Sequence, residues 1–238
     1  QAGESDSTMA SATAPTATAP PVTTPVSATT PAPPAASATP APTEPLNDAQ
    51  GKLTRDGAVM TFPGAGRKGS AVFMRGVTAW IVLQDAPPLD AAKLKAQLGN
   101  FPDQVEASSG NNITILRLTL KQPEEIAAFP DGSNLKVVIA PQVTPNATAI
   151  GFARNQDDAT HSSLSTLLPG ATRTLNLVDP VAGDELILIP AAAGRAQLNE
   201  RTYVEFEALK TASGLVLSPY VDDLAVTINT TRVTITRN

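Results

Sequence analysis

The composition of the chain changes abruptly near Leu46, and this change constrains the fold more than any other feature of the sequence. Residues 9–45 are almost entirely Ala, Thr, Pro, Ser and Val, without Lys, Arg, Leu, Ile or any aromatic residue. Residues 1–46 hold 10 of the 22 prolines. Such a segment buries too little apolar surface to offset its ordering entropy, and dense proline keeps it extended. We therefore predict that residues 1–46 are a disordered Pro/Thr/Ala-rich spacer.

The bulk composition of the other 192 residues, 47–238, excludes several classes of function. Without the three acids of the spacer, 19 acidic residues face 17 Lys and Arg, so the net charge is −2. This balance argues against nucleic acid and against an anionic membrane surface as partners. The absence of cysteine excludes disulfides, thiolate metal sites and a cysteine nucleophile. No apolar run approaches the ~20 residues of a membrane-spanning helix.

Short alternating apolar runs recur from about Lys52 to the end of the chain, each bounded by Gly, Asp or Asn. This spacing predicts antiparallel strands and not an alternating α/β fold, which needs a helix after most strands. The strands are predicted at residues 57–62, 71–75, 78–84, 113–120, 136–140, 149–153, 172–177, 185–189, 202–208, 214–218, 224–229 and 233–236. Both faces of 113–120 carry apolar residues, which favours an interior strand. Residues 157–165 are predicted as a loop.

Residues 89–98 are the clearest helix candidate. Asp90 can cap the helix, Leu94 and Leu98 lie one turn apart, and Gly99 can end it. Residues 124–129 are also compatible with one helical turn. We therefore predict a mainly β fold with one short helix, in two antiparallel lobes that are sandwich-like or open barrels. The lobes are placed at residues 47–143 and 144–238.

One segment matches a dinucleotide-binding pattern, with glycines at Gly64, Gly66 and Gly69. That pattern requires a strand before it and a helix after it, so that a phosphate meets the helix N-terminus. Here a strand follows, and a β-turn with two basic side chains is the better interpretation.

His161 is the only histidine, and it lies in a polar stretch with Asp157, Asp158 and Ser162. A Ser–His–Asp triad needs convergence in space and a serine on a strained turn, and no G-x-S-x-G motif is present. The acid pairs Glu124-Glu125 and Asp222-Asp223 invite a glycosidase interpretation, but turn and surface positions explain them better. We therefore predict no catalytic, cofactor-binding or metal-binding residue.

The large aromatic residues are few, which weighs against a sugar-stacking platform. Trp80 shares a face with Val82 and is expected in the core, while Tyr203 and Phe206, three apart in a strand pattern, are expected on opposite faces. Recognition through an edge strand stays open, because it needs only backbone groups.

Residues 71–85, Ala-Val-Phe-Met-Arg-Gly-Val-Thr-Ala-Trp-Ile-Val-Leu-Gln-Asp, resemble the strand pair of AMIN-like domains, the β modules that precede amidases and secretin pores in bacterial envelopes. Residues 206–223, Phe-Glu-Ala-Leu-Lys-Thr-Ala-Ser-Gly-Leu-Val-Leu-Ser-Pro-Tyr-Val-Asp-Asp, resemble the N-terminal β region of large exported alphaproteobacterial proteins. The first resemblance implies localisation at the envelope through peptidoglycan or partner proteins, and it brings no catalytic residue.

These observations favour a non-catalytic exported β module that positions a protein at the cell envelope through peptidoglycan or protein contacts. The alternative is a carbohydrate-binding or accessory β-sandwich domain of a secreted hydrolase, which a groove with two or three exposed aromatics would favour. The low-charge spacer and the start at Gln1 indicate a periplasmic or extracellular protein, or part of a longer one.

Overall fold

The computed structural model describes residues 48–155 and 163–237, and most of its regular structure is antiparallel β-sheet. This confirms the predicted mainly β fold, and the described residues contain one short helix. Residues 1–46, predicted as the spacer, lie outside the described residues.

The strands are short and follow one another closely along the chain. The first half of the described chain contains β1 (Gln50–Leu53), β2 (Ala58–Phe62), β3 (Ser70–Arg75), β4 (Thr78–Gln84), α1 (Ala91–Leu98), β5 (Pro102–Gly110), β6 (Ile113–Leu120), β7 (Glu125–Asp131) and β8 (Asn134–Ala140). The second half contains β9 (Thr148–Ala149), β10 (Ala153–Asn155), β11 (Ser163–Leu167), β12 (Leu175–Val178), β13 (Glu185–Ile189), β14 (Arg195–Ala196), β15 (Arg201–Thr202), β16 (Phe206–Ala208), β17 (Thr211–Ser213), β18 (Leu215–Pro219), β19 (Leu224–Asn229) and β20 (Arg232–Arg237).

Four larger sheets, which we number 1 to 4, hold most of these strands. Sheet 1 has the strand order β1-β2-β8-β7, and sheet 2 has the order β17-β3-β4-β6-β5. Sheet 3 has the order β12-β13-β18-β16-β15, and sheet 4 has the order β10-β11-β20-β19. Strands β9 and β14 form a separate parallel pair.

Three apolar cores lie between successive sheets, so the sheets stack face to face in the sandwich-like arrangement. Core 1 joins sheets 1 and 2 and includes Met60, Phe62, Ile81, Leu116 and Val137. Core 2 joins sheets 2 and 3 and includes Phe73, Trp80, Val82, Leu188 and Val216. Core 3 joins sheets 3 and 4 and includes Ile189, Phe206, Leu217, Val233 and Ile235.

Strand β4 shows why sheet 2 lies inside the stack. Its sequence Thr-Ala-Trp-Ile-Val-Leu-Gln is buried at every position. Ile81 and Leu83 enter core 1, whereas Trp80 and Val82 enter core 2. Successive side chains on a strand point to opposite faces, so a strand that is apolar on both faces requires an apolar layer on each side. The prediction that Trp80 and Val82 share a buried face is confirmed.

Strand β17 ties the two halves of the chain together. It comes from residues 144–238, yet it pairs with β3 at the edge of sheet 2, where Ser213 lies opposite Val72. The buried hydroxyl groups of Ser70 and Ser213 are 2.9 Å apart in a hydrogen bond. All described residues belong to one compact unit. The division into lobes at residues 47–143 and 144–238 stays a prediction.

Local signals explain several elements directly. The helix α1 lies inside the predicted range 89–98, and the Asp90 carboxylate accepts a hydrogen bond from the Lys93 amide at 2.9 Å, as an N-cap does. Asn111 and Asn112, both with positive φ, form the two-residue turn between β5 and β6. That conformation suits Asn and matches the right-handed twist of a hairpin. The hairpin β3–β4 turns at Gly76-Val77, between the strands predicted at 71–75 and 78–84.

Two predictions about local structure are wrong. Residues 124–129 do not form a helical turn, because β7 pairs along its whole length with β8 and buries Ile126 and Ala128 in core 1. Helix propensity is a weak preference that packing overrides. The predicted loop at 157–165 contains the start of β11, which pairs with β20. Its residues 157–162 lie outside the described residues.

Gly214 is expected to be essential for the junction between sheets 2 and 3. Its φ is +71°, and a Cβ there would stand 2.6 Å from the Ser70 carbonyl oxygen and 3.0 Å from the Ile189 carbonyl oxygen. Since both are backbone atoms, we expect Gly214→Ala to lower the free energy of unfolding by about 2–4 kcal/mol. Gly132→Ala is the control, because Gly132 has a φ of +63° with nothing within 4 Å of its Cβ position, and it should cost about 1 kcal/mol. If urea unfolding gave equal losses of unfolding free energy for the two variants, that result would contradict the close backbone approach at Gly214.

Candidate functional site

The Gly-rich segment at residues 64–69 is a turn that leads directly into β3, as the turn interpretation predicts. A Cβ on Gly66 would lie 2.3 Å from the Asn134 carbonyl oxygen, so this glycine permits close packing against the β7–β8 turn. The Lys68 ammonium group donates a hydrogen bond to the Asp85 carbonyl oxygen at 2.5 Å. No helix N-terminus follows the segment, so its geometry does not resemble a dinucleotide site.

His161 and its neighbours Asp157, Asp158 and Ser162 lie outside the described residues. Within residues 48–155 and 163–237, no group of three or more His, Asp or Glu side chains is placed to hold a metal ion.

The two acid pairs occupy surface positions on different sheets. Glu125 opens β7 in sheet 1, and its carboxylate forms an ion pair with Lys210 at 2.6 Å. Asp222 and Asp223 lie in the turn before β19, and the Asp223 carboxylate contacts the Arg237 guanidinium at 2.8 Å. The structure therefore does not bring the four carboxylates together across one cleft, as paired acid chemistry requires.

The aromatic side chains mostly fill cores. Trp80 is stacked on Phe73 with ring centroids 5.9 Å apart, and the Arg117 guanidinium lies 4.7 Å from the Trp80 ring. Among the described residues, Tyr220 is the only aromatic side chain that is exposed. A sugar-stacking groove with two or three exposed aromatics, which the carbohydrate-binding alternative requires, is therefore missing from the described residues.

The expectation that Tyr203 and Phe206 face opposite sides is wrong. Their rings are stacked with centroids 4.8 Å apart. The reason is that residues 203–205 are not a continuous strand but the turn between β15 and β16, which is closed by a 2.8 Å bond from the Tyr203 amide to the Phe206 carbonyl. Phe152 joins this cluster edge-on, 5.5 Å from Tyr203.

Edge strands are the remaining candidate binding surface from the sequence. Strand β19 differs from the other long edge strands in its sequence. It has six residues, Leu-Ala-Val-Thr-Ile-Asn, and pairs with β20 alone among the described strands. It carries no charge and no proline. Leu224, Val226 and Ile228 pack against core 3 but are only partly buried. A strand added beside β19 would place its own side chains next to these three.

The longer edge strands of sheets 1 and 2 are protected in ways that β19 is not. Strand β5 carries Asp103 and Glu106 and has an irregular register near Pro102. Strand β7 carries a proline and two acids. Charges, proline and bulges are the usual devices that keep an edge from pairing with another chain. The backbone edge of β19 is therefore the one long, uncharged edge among the described strands.

A partly buried ion-pair cluster joins the β3–β4 turn of sheet 2 to the β12–β13 turn of sheet 3. The Arg75 guanidinium contacts the Asp179 carboxylate at 3.1 Å and makes a two-pronged contact with Asp184. The hydrogen bond from Arg75 holds the pKa of the Asp184 carboxyl below its ordinary value, although partial burial opposes this shift. The cluster has a structural role, because the Arg75 guanidinium is already bound to two carboxylates of the same chain.

Comparisons with known proteins do not add to this description. No family model, curated protein or solved structure gave a significant match to the chain. No helix of the described residues is long and apolar enough to cross a membrane.

The ion-pair cluster predicts a specific pH dependence of stability. Because the pKa of Asp184 is lower in the folded state, its contribution is fully present above the unfolded value, about 3.9, and is lost as the pH falls below it. We expect Asp184→Asn to cost no more than about 1 kcal/mol at pH 7, since the side chain is 37% exposed and solvent screens the pair. The difference from the unmodified chain should shrink between pH 5 and pH 3 in urea unfolding. Glu200→Gln, an exposed acid outside every ion pair of the described residues, should show no such trend.

Proposed function

We propose that the chain is a non-catalytic exported β module that positions itself, or an attached domain, at the bacterial cell envelope. In this proposal, β19 adds an extended segment of another envelope protein as a further strand of sheet 4. The single observation that carries the proposal is the uncharged, unprotected edge of β19. Backbone hydrogen bonds supply the affinity in this mode, and side-chain pockets supply the selectivity.

The half-buried apolar side of β19 supports the same partner chemistry. Val226 and Ile228 contact core 3 but are still partly exposed at its margin. A partner strand with apolar side chains at alternate positions would extend core 3 and remove this surface from water. We therefore expect a partner segment with apolar residues at alternate positions and with no proline at its centre.

Composition supports export and a tethering role. Residues 1–46 carry three charges and ten prolines, a composition typical of envelope spacers. A flexible spacer of this length spans about 35–40 Å root-mean-square, and proline extends it further. Residues 71–85 resemble the strand pair of AMIN-like domains. This resemblance implies that the protein acts at the cell envelope. Peptidoglycan is the other binding partner that this resemblance implies.

The proposal is tested with photo-crosslinking in the full chain. A photoreactive amino acid is placed at Thr227 of β19 or, as a control, at Ser108 of β5. Both variants are expressed in bacterial cells with an intact envelope. We expect a specific adduct at Thr227 and none at Ser108. A synthetic peptide covering the captured segment should then slow amide hydrogen exchange at residues 224–229, because strand addition bonds those backbone groups.

A charged edge should abolish this interaction without unfolding the protein. The double variant Ala225→Lys/Thr227→Lys gives β19 the protection that other edges have, and we expect it to weaken peptide binding at least tenfold. Gln104→Lys on β5 is the matched control and should bind as the unmodified chain does. Equal binding by the double variant would sink edge-strand recognition. Sedimentation of the double variant with purified sacculi, as strongly as the unmodified chain, would then favour peptidoglycan as the partner.

A further inference from the structure

A polar cleft of about 670 Å³ lies at one end of sheet 2, away from β19. Three segments meet there: the loop that follows β4, the turn between β5 and β6, and Lys68 from the Gly-rich segment. We call it the loop–turn cleft. Its polar lining residues are Lys68, Asp85, Ser109, Asn111 and Asn112.

The backbone around this cleft is held in unusual conformations. Among the described residues, four non-glycine residues have positive φ, and three of them line the cleft: Asp85 at +52°, Asn111 at +51° and Asn112 at +60°. The hairpin turn accounts for the two asparagines. It does not account for Asp85, which directly follows the last residue of β4. Such residues persist where the surroundings hold them, and they concentrate at ligand sites.

Hydrogen bonds fix the cleft before any ligand arrives. The Asp85 amide donates to the Asn112 carbonyl at 2.7 Å, which joins the loop to the turn. The Thr114 hydroxyl donates to the Ala86 carbonyl at 2.9 Å. Behind the turn, the Arg173 guanidinium donates to the carbonyls of Asn111 and Asn112 at 3.0 and 3.1 Å. A site built in this way loses little conformational entropy when a ligand binds.

The charges in the cleft are opposite in sign, and neither is neutralised by an ion pair within the described residues. The Lys68 ammonium bonds to the carbonyl oxygen of Asp85 at 2.5 Å and not to its carboxylate. An ammonium group has three donors, so two remain for a ligand. The Asp85 carboxylate accepts no hydrogen bond from the described residues. The cleft therefore contains a donor cation, Lys68, and an acceptor anion, Asp85, on residues that are in direct contact.

We propose that the loop–turn cleft binds a small zwitterion, an amino acid or dipeptide with a free carboxylate and a free ammonium group. Lys68 binds the carboxylate, and Asp85 binds the ammonium group. The side chains of Ser109, Asn111 and Asn112 supply neutral hydrogen bonds to the rest of the ligand. A purely anionic ligand would face the Asp85 carboxylate, and a purely cationic one would face the Lys68 ammonium. The inference does not depend on the role of β19.

The probe is alanylalanine, titrated into the full chain labelled with ¹⁵N. We expect saturable shifts of the backbone amides at residues 110–113, and at least tenfold weaker binding of the N-acetylated or C-amidated dipeptide. Lys68→Met and Asp85→Asn remove one charge each, and Asn accepts positive φ as Asp does. Each variant should weaken alanylalanine binding at least tenfold. Arg67→Met and Asp103→Asn, exposed neighbours outside the cleft lining, are the matched controls and should change nothing.

The two variants also separate the roles of the two charges. Asp85→Asn should bind acetylated and free alanylalanine equally, because it no longer contacts the ammonium group, yet it should still prefer the free carboxylate to the amide. Lys68→Met should show the reverse preference. The absence of shifts at 20 mM dipeptide would overturn the proposal. So would equal binding of the free and blocked dipeptides by the unmodified chain.

Discussion

The burial of sheets 2 and 3 on both faces is the constraint on which the rest of the structure depends. Each of these sheets contributes alternate side chains to two cores, so neither can form without a neighbour on each side. Sheets 1 and 4 are the outer layers that this requires. Strand β17 and Gly214 then fix how the inner sheets meet, because they bring the backbone of one sheet against that of the other. The positions of β19 and of the loop–turn cleft both follow from this stack.

The elements that the sequence predicts correctly are those whose cause is local. Asp90 caps the helix that begins one residue later. Asn111 and Asn112 adopt positive φ at low cost and form the turn before β6, which covers the predicted residues 113–120. The apolar residues on both faces of 113–120 predict an interior strand, and β6 lies between β4 and β5 in sheet 2. In each case, the residues that determine the structure lie within a few positions of one another.

The elements that the sequence misses depend on distant partners. Residues 124–129 become a strand because β8 is available to pair with them, and Tyr203 meets Phe206 because a turn interrupts the strand pattern. The candidate sites follow the same rule. Lys68 is visible in a Gly-rich motif, but only the fold brings the Asp85 carbonyl oxygen within hydrogen-bond distance of its ammonium group. The unpaired backbone edge of β19 depends on the order of the strands in sheet 4, which no local sequence pattern predicts.

An uncharged edge strand exposes a protein to unwanted pairing, so its persistence needs a physical reason. The sequence of residues 1–46 is poorly suited to pair with that edge, since proline has no amide hydrogen and this segment contains ten prolines. Nor does β20 relieve the exposure, because its backbone is already paired on both sides, with β11 and β19. Among the described residues, the outer backbone edge of β19 is therefore unpaired, and the stack of sheets behind it holds that edge in a fixed geometry.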